Sequence, residues 1–345
     1  MDFFSFFNNI TRRTEIAIDL GTANTLILIK GKGIVLNEPS IIAKDTITNK
    51  IIAFGYEANE MLGRTHSAIE TIRPLKDGVI ANLEMTTEML KSFLNKIKIS
   101  SFSRPRIVIC IPSGVTDLQR RAVKEAAESV NASEVYLIFE PMAAAIGTGI
   151  DVSKPQGHMI VDIGGGTTEI AVISLNGTVS LKTINHAGDE QNEAIQYYLR
   201  ANHDIEIGER TAENIKKRVG SAIEYKDSEK IKVIGKNITH GVPKEVKIFK
   251  DEINKALNSS IIQIYNAIKQ ALDHTPPEHS ADILKNGIIL TGGGAKLDGL
   301  DIYLRNKTNI PVNISEDPLL SIVLGTGIVL DDIKGYLNKG ILLNE

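Results

Sequence analysis

The stretch Asp19-Leu20-Gly21-Thr22-Ala23-Asn24-Thr25 joins two apolar runs at residues 15–18 and 26–29. The same arrangement returns as Asp162-Ile163-Gly164-Gly165-Gly166-Thr167-Thr168, between residues 158–161 and 169–175. Each copy has Asp, an aliphatic residue and Gly in succession, with Thr at the sixth position after the Asp. Short apolar runs around such a turn are typical of a strand–turn–strand unit. Because the unit occurs twice, we predict two lobes of one design that face each other.

The composition of these turns indicates an anion site that contains a cation. Small residues allow backbone N–H groups to approach an anion closely. An Asp at the start of the turn would repel a phosphate, but Mg²⁺ is held by one or two carboxylates together with water and phosphate oxygens. We therefore predict that Asp19 and Asp162 hold Mg²⁺ through water, one from each lobe. The alternative, two ordinary hairpins, fits either turn alone equally well.

Three further segments could complete a ligand site. Glu140 stands where the apolar strand 135–139 gives way to a helix that starts with Pro141, and a Glu there is better explained by a ligand than by capping. A third Gly cluster, at residues 292–294, follows an apolar strand and is weak evidence by itself. Glu213 and Lys216 lie three residues apart on a predicted helix and fit either a ribose or base contact or a surface ion pair.

Two amphipathic helices are predicted from their apolar spacing. The capping box Thr116-Asp-Leu-Gln119 starts one helix, in which Leu118, Ala122, Ala126 and Val130 should face the core. The other helix is predicted for residues 211–226, with inward-facing Ala212, Ile215, Val219, Ala222 and Ile223.

Length and composition exclude several classes of protein. The 345 residues exceed one ordinary domain and favour two lobes with a cleft between them. A net charge of -3 argues against nucleic-acid binding, and a hydrophobic content of 42% is that of a soluble globular protein. The single cysteine, Cys110, lies in an apolar run, which predicts a buried strand residue and a reducing cytoplasm. The histidines lack zinc-site spacing, and no apolar run is long enough to cross a bilayer.

Taken together, the motifs resemble those of the actin, heat-shock chaperone and sugar kinase superfamily, and within it they are most similar to the bacterial MreB family. The resemblance spans nearly the whole chain. It is carried by the two turns and by residues 73–80, 111–115, 140–147, 207–213, 291–295 and 325–327.

The resemblance implies an α/β, actin-like fold with two RNase H-like lobes around a central nucleotide cleft. Lobe I would comprise residues 1–147 and 320–345, with a small subdomain at about 34–72. Lobe II would comprise residues 148–319, with a small subdomain at about 188–246.

The resemblance also implies residue roles in binding ATP or ADP with Mg²⁺ and in slow hydrolysis of ATP. Glu140 would position or activate the attacking water with help from Thr167, and Asp162 would also serve catalysis. The implied nucleotide-binding residues are Gly21, Thr22, Ala23, Asn24, Gly164, Gly165, Gly166, Thr167, Glu213, Lys216, Gly292, Gly293, Gly294 and Ala295. Two departures from the family pattern, Gln191 with Asn192 and Leu324, leave the edge of the site and one charge contact open.

The function implied is that of an ATP-dependent cytoskeletal filament that controls cell shape and guides cell-wall synthesis. Its partners would be other copies of the chain in paired protofilaments, the inner face of the cytoplasmic membrane, and membrane proteins of cell shape and wall synthesis. The alternatives are a small-molecule kinase, a chaperone-type ATPase and a non-hydrolysing scaffold. The chain shows no obvious sugar-binding insertion and ends too soon for a peptide-binding domain.

The N-terminal segment predicts a membrane anchor for residues 1–13. As a helix it would place Phe3, Phe4, Phe6, Phe7 and Ile10 within roughly a 160° arc, with Arg12 and Arg13 directly after them. Exposed aromatic residues next to basic ones are typical of a helix that lies in the lipid headgroup region, and the family resemblance agrees. The alternative is a frayed tail. Ile99 and Phe102 suggest a second insertion point.

Overall fold

The computed structural model describes residues 14–99, 104–225 and 230–343. The five residues of the predicted anchor face, Phe3 to Ile10, and Phe102 therefore lie outside the described residues. Ile99 is described and packs partly against the core of the first large sheet.

The described residues up to Gly147 form ten strands and four helices. The strands are β1 (Glu15–Leu20), β2 (Asn24–Ile29), β3 (Gly33–Pro39), β4 (Ile42–Asp45), β5 (Ile51–Phe54), β6 (Ile69–Ile72), β7 (Leu75–Lys76), β8 (Val79–Ile80), β9 (Arg106–Ile111) and β10 (Glu134–Phe139). The helices are α1 (Gly55–Met61), α2 (Leu83–Lys96), α3 (Asp117–Glu128) and α4 (Glu140–Gly147).

From residue 148 onward, the part of the chain that the structure describes forms eight strands, seven helices and a short 3₁₀ helix at Gly293–Lys296. The strands are β11 (His158–Ile163), β12 (Thr168–Ser174), β13 (Gly177–Ile184), β14 (Ile205–Glu206), β15 (Lys230–Asn237), β16 (Pro243–Phe249), β17 (Ile288–Thr291) and β18 (Val312–Ile314). The helices are α5 (Gly188–His203), α6 (Glu209–Val219), α7 (Lys250–Asp273), α8 (Pro277–Asn286), α9 (Leu300–Thr308), α10 (Ser321–Val329) and α11 (Ile333–Asn338).

Two five-stranded sheets have the same topology. Their strand orders are β10-β9-β1-β2-β3 and β18-β17-β11-β12-β13. In each sheet the central strand, β1 or β11, pairs antiparallel with the next strand along the chain and parallel with a strand that comes much later. The strand–turn–strand unit predicted from the sequence is therefore confirmed in both sheets.

The apolar runs become central strands because both of their faces are covered. In β1, Ile16 and Ile18 pack in a core with Met89, whereas Ala17 packs on the opposite face in a second core. That second core also contains residues of β11 and β12 and of helices α4 and α10. The two helices therefore lie between the two large sheets. Cys110 is buried in β9, as predicted.

Helices α4 and α10 cross at very close range. A Cβ added to Gly147 would overlap the carbonyl oxygen of Ser321, and one added to Gly325 would overlap that of Ala143. Only glycine allows two backbones to approach so closely, so this crossing depends on both residues.

Two three-stranded sheets, β5-β4-β6 and β14-β15-β16, stand apart from the large ones. The first has its own small core with Ala53 and Ala58, and it falls within the segment 34–72. The second extends to Phe249, slightly beyond the segment 188–246. The lobe boundaries at residues 147 and 320 stay a prediction.

The structure corrects two details of the predicted helices. The capping box of α3 is present, but Leu118 is 77% exposed, and the buried residues are Val123, Ala126 and Ala127. Residues four apart in a helix are offset by about 40° around its axis. A row of such residues that starts at Leu118 therefore does not stay on the face that packs against the core. Helix α6 ends at Val219, before the predicted residue 226, and the chain at Gly220 is extended.

Candidate functional site

The two predicted turns have the same hydrogen-bonded form. The backbone N–H of Gly21 donates to the carbonyl oxygen of Asn24 at 3.1 Å, and that of Gly164 donates to the carbonyl oxygen of Thr167 at 2.9 Å. The turns also meet across the cleft, because a Cβ added to Gly165 would lie 2.9 Å from the Cβ of Ala23. Glycine is therefore required at position 165 for this close approach.

A cavity of about 680 Å³ lies between the turns. It is lined by all but one of the catalytic, nucleotide-binding and metal-binding residues predicted from the sequence, namely Asp19, Gly21, Thr22, Ala23, Asn24, Glu140, Asp162, Gly164, Gly165, Gly166, Thr167, Glu213, Lys216, Gly292, Gly293 and Gly294. The exception is Ala295, which is fully buried in the core of the second sheet because the 3₁₀ helix turns its side chain away from the cavity.

Buried carboxyl groups carry most of the charge at this cavity. Burial, and then the proximity of Asp162, raises the pKa of Asp19 to about 7, although a hydrogen bond from the Cys110 thiol opposes the shift. Burial also raises the pKa of Asp162 to about 6, against the effect of a 2.8 Å hydrogen bond from the Thr291 hydroxyl. Burial disfavours the charged forms of both carboxyl groups, and a cation bound beside them would stabilise those forms.

The donor set fits a magnesium ion bound through water. Among residues 14–99, 104–225 and 230–343, no three His, Cys, Asp or Glu side chains are grouped so that they could hold a metal by themselves. Mg²⁺ usually keeps several waters and takes only one or two carboxylates when phosphate oxygens supply further ligands. Asp19 and Asp162 could therefore hold Mg²⁺ together with a phosphate chain.

Glu140 lies where β10 passes into α4, and it is the first residue of that helix. The residue is only 7% exposed, and Pro141 follows it in the first helical turn. Burial, followed by the nearby charges of Glu169, Asp19 and Asp162, raises the pKa of Glu140 well above its usual range. A cation bound nearby would offset the surrounding negative charge and lower this pKa. Glu140 would then be ionised and able to accept a proton.

Glu169 was not among the site residues predicted from the sequence. This residue lies opposite Asp162 in the β11–β12 pair and is fully buried. One carboxylate oxygen accepts hydrogen bonds from the Ser113 backbone N–H and the Thr183 hydroxyl, both at 2.9 Å. A carboxyl group within the apolar strand β12 is the sequence feature that could have indicated a site residue. Its hydrogen bond to Ser113, however, depends on how the two sheets pack.

The opposite end of the cavity is built from helices α5 and α6. Burial lowers the pKa of Lys216 to about 8, and its ammonium group donates to the carbonyl oxygen of Gly188 at 2.5 Å. Glu213 pairs with Lys217 at 2.7 Å rather than with Lys216. The alternative interpretation, a surface ion pair between Glu213 and Lys216, is therefore not what the structure shows, and both residues line the cavity.

Other lining residues were not predicted as site residues. They come from strands, loops and helix ends that are distant in sequence, and they are Leu26, Asn37, Gly78, Gly188, Asp189, Gln191, Asn192, Lys217, Arg218, Gly220, Lys250, Lys296, Leu297, Asp298, Pro318, Leu319 and Ile322. Gln191 and Asn192, the departures noted in the sequence, thus belong to the wall of the cavity.

A model of the MreB/Mbl protein family matches residues 13–338. The chain is 47% identical over 320 residues to the cell shape-determining protein Mbl of Bacillus subtilis, covering 92% of this chain and 96% of that protein. It is also 47% identical over 337 residues to the cell shape-determining protein MreB of Escherichia coli, covering 96% of each.

The structure is likewise similar to solved structures. MreB5 of Spiroplasma citri bound to AMPPNP superimposes with a TM-score of 0.91 at 39% identity, covering 95% of this chain and 99% of the other. A MamK double helical filament, 21% identical, has a TM-score of 0.80 over 93% of this chain and 99% of the MamK chain, and it supports the fold alone. The actin-like fold predicted from the sequence is confirmed.

Proposed function

The chain belongs to the MreB/Mbl protein family, and from this premise we propose that it is an ATP-hydrolysing protein that polymerises into membrane-associated filaments. In this role it would control cell shape and guide cell-wall synthesis, with hydrolysis linked to filament dynamics.

The observation that carries the nucleotide proposal is the pair of matching turns across one cavity, each preceded by a buried Asp. The volume of about 680 Å³ is within the usual range for ligand pockets. Backbone N–H groups of the two turns can bind phosphate oxygens from opposite sides of the cavity. Burial raises the pKa values of Asp19 and Asp162, and a cation beside them would stabilise their charged forms. The MreB5 relative, which has been crystallised with AMPPNP and with ADP, supports this interpretation.

The proposed reaction is transfer of the terminal phosphoryl group of ATP to water. Mg²⁺, when bound through Asp19 and Asp162, would neutralise charge that develops on the phosphates. Glu140 orients the attacking water and accepts its proton as the oxygen bonds to phosphorus and ADP leaves, and the Thr167 hydroxyl assists in holding that water. Glu213 and Lys216 contact the adenosine side, with Gly292, Gly293 and Gly294 beside the nucleotide.

Phosphate release from ATP without any acceptor substrate tests the reaction. The protein should release phosphate slowly with Mg²⁺, and Glu140→Gln should lower the turnover about a hundredfold or more while ATP still binds. The exposed Glu128→Gln on α3 is a matched control that should leave turnover unchanged. Release that requires a small-molecule acceptor would indicate a kinase, and turnover unaffected by Glu140→Gln would contradict the role of that residue.

We further propose that residues 1–13 attach the filament to the inner face of the cytoplasmic membrane through Phe3, Phe4, Phe6, Phe7 and Ile10. None of the helices in the described part of the chain combines the length and apolar character of a membrane span. One short anchor binds weakly after its ordering cost is subtracted, but many anchors on one filament bind together by effective concentration. Membrane attachment and polymerisation should therefore reinforce each other.

Deletion of residues 2–10 tests this anchor. The deletion should abolish pelleting with anionic liposomes, and ATP hydrolysis should continue at the rate of the full chain. Pelleting that does not change would refute the anchor without affecting the nucleotide proposal. Electron microscopy of the full chain with ATP, Mg²⁺ and lipid tests the proposed paired protofilaments.

A further inference from the structure

One ion pair joins the half of the chain that ends at Gly147 to the half that follows it. The Arg73 guanidinium donates to a carboxylate oxygen of Glu209 at 2.7 Å. Arg73 comes directly after β6, in the first half, whereas Glu209 is the first residue of α6, in the second half. The two residues are 136 positions apart in the sequence, so the side chains meet only because the two halves pack against each other.

The chain directly after Arg73 lies against both predicted turns. The backbone N–H of Gly78 donates to the Thr22 hydroxyl in the first turn at 3.0 Å. On the other side, a Cβ added to Gly166 in the second turn would lie 2.9 Å from the backbone of Asp77. This segment therefore spans the gap between the two turns, and the ion pair stands at one end of it.

The acidic member of the pair belongs to a helix that forms part of the cavity wall. Helix α6 carries Glu213 and Lys216, which line the cavity. Asp189 also lines the cavity, and burial raises its pKa, while the positive charge of Arg73 opposes that shift. The ion pair therefore lies beside the cavity and holds the first turn of α6 to the first half of the chain.

Separation of the two halves has to break this ion pair. A nucleotide whose phosphates are bound by both turns leaves fastest when the halves move apart, because its contacts with one half are then already broken. Any bond between the halves makes that movement less favourable. The side chains of Arg73 and Glu209 are 26% and 37% exposed, and loss of a partly exposed ion pair changes an equilibrium by about fivefold.

We propose that Arg73 and Glu209 form a clasp that slows the release of bound nucleotide by holding the two halves of the protein together. The inference rests on the proposed nucleotide function and adds to it a control of nucleotide exchange. A subunit that has hydrolysed its ATP keeps the ADP for longer while the clasp is closed. The clasp therefore lengthens the interval before the next ATP binds.

The rate at which ADP leaves the full chain tests the clasp directly. Protein loaded with N-methylanthraniloyl-ADP and Mg²⁺ is mixed with an excess of unlabelled ADP, and the decay of fluorescence gives the release rate. Arg73→Gln and Glu209→Gln should each raise that rate about fivefold. Asp301→Asn is the matched control and should leave the rate unchanged, because the ion pair that it removes, with Arg305, lies within α9.

Exchange of the two charges distinguishes the pair from its separate members. Arg73→Glu alone and Glu209→Arg alone should each speed release at least as much as the Gln variants, since each places like charges together. The double variant should return the release rate to within about twofold of the wild-type rate. Fast release from the double variant would show that the two side chains act independently and would overturn the clasp, as would wild-type rates in both Gln variants.

A covalent link supplies the opposite perturbation. The double variant Arg73→Cys with Glu209→Cys can be joined by a short bismaleimide, and the natural Cys110 is buried and protected from the reagent. The cross-linked protein should release ADP more slowly than the wild-type protein, and the same variant before cross-linking should release it faster. If cross-linking did not slow release, the halves would not need to separate at this point, and the proposal would be overturned.

Failure of the clasp differs from failure of the proposed function. If the wild-type protein binds ADP and neither the substitutions nor the cross-link changes the release rate, the clasp is refuted and the nucleotide site stands. If the wild-type protein does not bind ADP, the proposed function is refuted, and the clasp with it.

Discussion

Asp19→Asn should make the protein more stable when nucleotide and divalent cations are absent, although it removes a proposed magnesium ligand. Asp19 is buried beside Asp162, and the nearby carboxyl groups of Glu140 and Glu169 lie in the same acidic cluster. The free carboxylate is therefore a group that disfavours folding until a cation arrives. An amide of the same shape removes the charge and can still accept a hydrogen bond from the Cys110 thiol.

The size and sign of the effect follow from the pKa of Asp19. Burial raises that pKa from 3.8 to about 7. Between these values the unfolded chain gives up its proton before the folded one does, so the stability contributed by the protonated group is complete below pH 3.8 and is lost as the pH rises to about 7. At about 1.4 kcal/mol for each pKa unit the full loss is about 4 kcal/mol, of which about 3 kcal/mol falls between pH 5 and pH 8.

Urea unfolding of the wild-type and Asp19→Asn proteins at pH 5 and pH 8, in EDTA, measures this loss. The gain in the free energy of unfolding should be about 3 kcal/mol larger at pH 8 than at pH 5. Asp162→Asn should show a smaller gain, because the pKa of Asp162 rises only to about 6. The exposed Asp273→Asn, at the end of α7, controls for the loss of one negative charge.

Addition of Mg²⁺ and ADP should reverse the order, so that the wild-type protein is stabilised and Asp19→Asn is stabilised much less. The reasoning would be refuted if Asp19→Asn were less stable than the wild-type protein at pH 8 in EDTA, or if its advantage did not depend on pH. Equal stabilisation of both proteins by Mg²⁺ and ADP would remove Asp19 from the proposed metal site.

Three further outcomes are expected. Gly325→Ala should destabilise the protein by about 3 kcal/mol or more in thermal unfolding, because the added methyl group overlaps the backbone of α4. Gly208→Ala, where no atom lies near the added methyl group, should have little effect on stability. If the two variants lost stability to the same extent, the close crossing of α4 and α10 would be contradicted. Affinity for Mg²⁺, measured by calorimetry in the presence of ADP, should fall as the pH drops from 8 to 5, since Asp19 and Asp162 take up protons with pKa values of about 7 and about 6; constant affinity would exclude them as ligands. Thr167→Val should lower ATP turnover about fivefold, the value of one hydrogen bond, with Thr167→Ser restoring most of it; a Ser variant as slow as the Val variant would argue against a role for the hydroxyl.

Much of the site was predictable because its parts are local. An Asp before a Gly-containing turn between apolar strands, or a Glu at the junction of a strand and a helix, is visible in a few consecutive residues. Residues whose contacts come from elsewhere were harder to interpret. In the sequence, Glu169 is not distinguished from the other residues of β12. Its hydrogen bond from Ser113 forms only because the two sheets pack together. Leu118 fitted an apolar row, but neighbouring elements cover a different face of α3.

By itself, the sequence determined the two matching turns and the apolar strands that carry them, since turn chemistry and hydrophobic periodicity act over short distances along the chain. Only the tertiary structure decided that the turns meet across one cavity, that Ala295 faces the core, and that Gln191 and Asn192 lie in the cavity wall. The physical reason is that burial and partnership are properties of surfaces brought together by folding. A residue's own chemistry does not specify which surface it will meet.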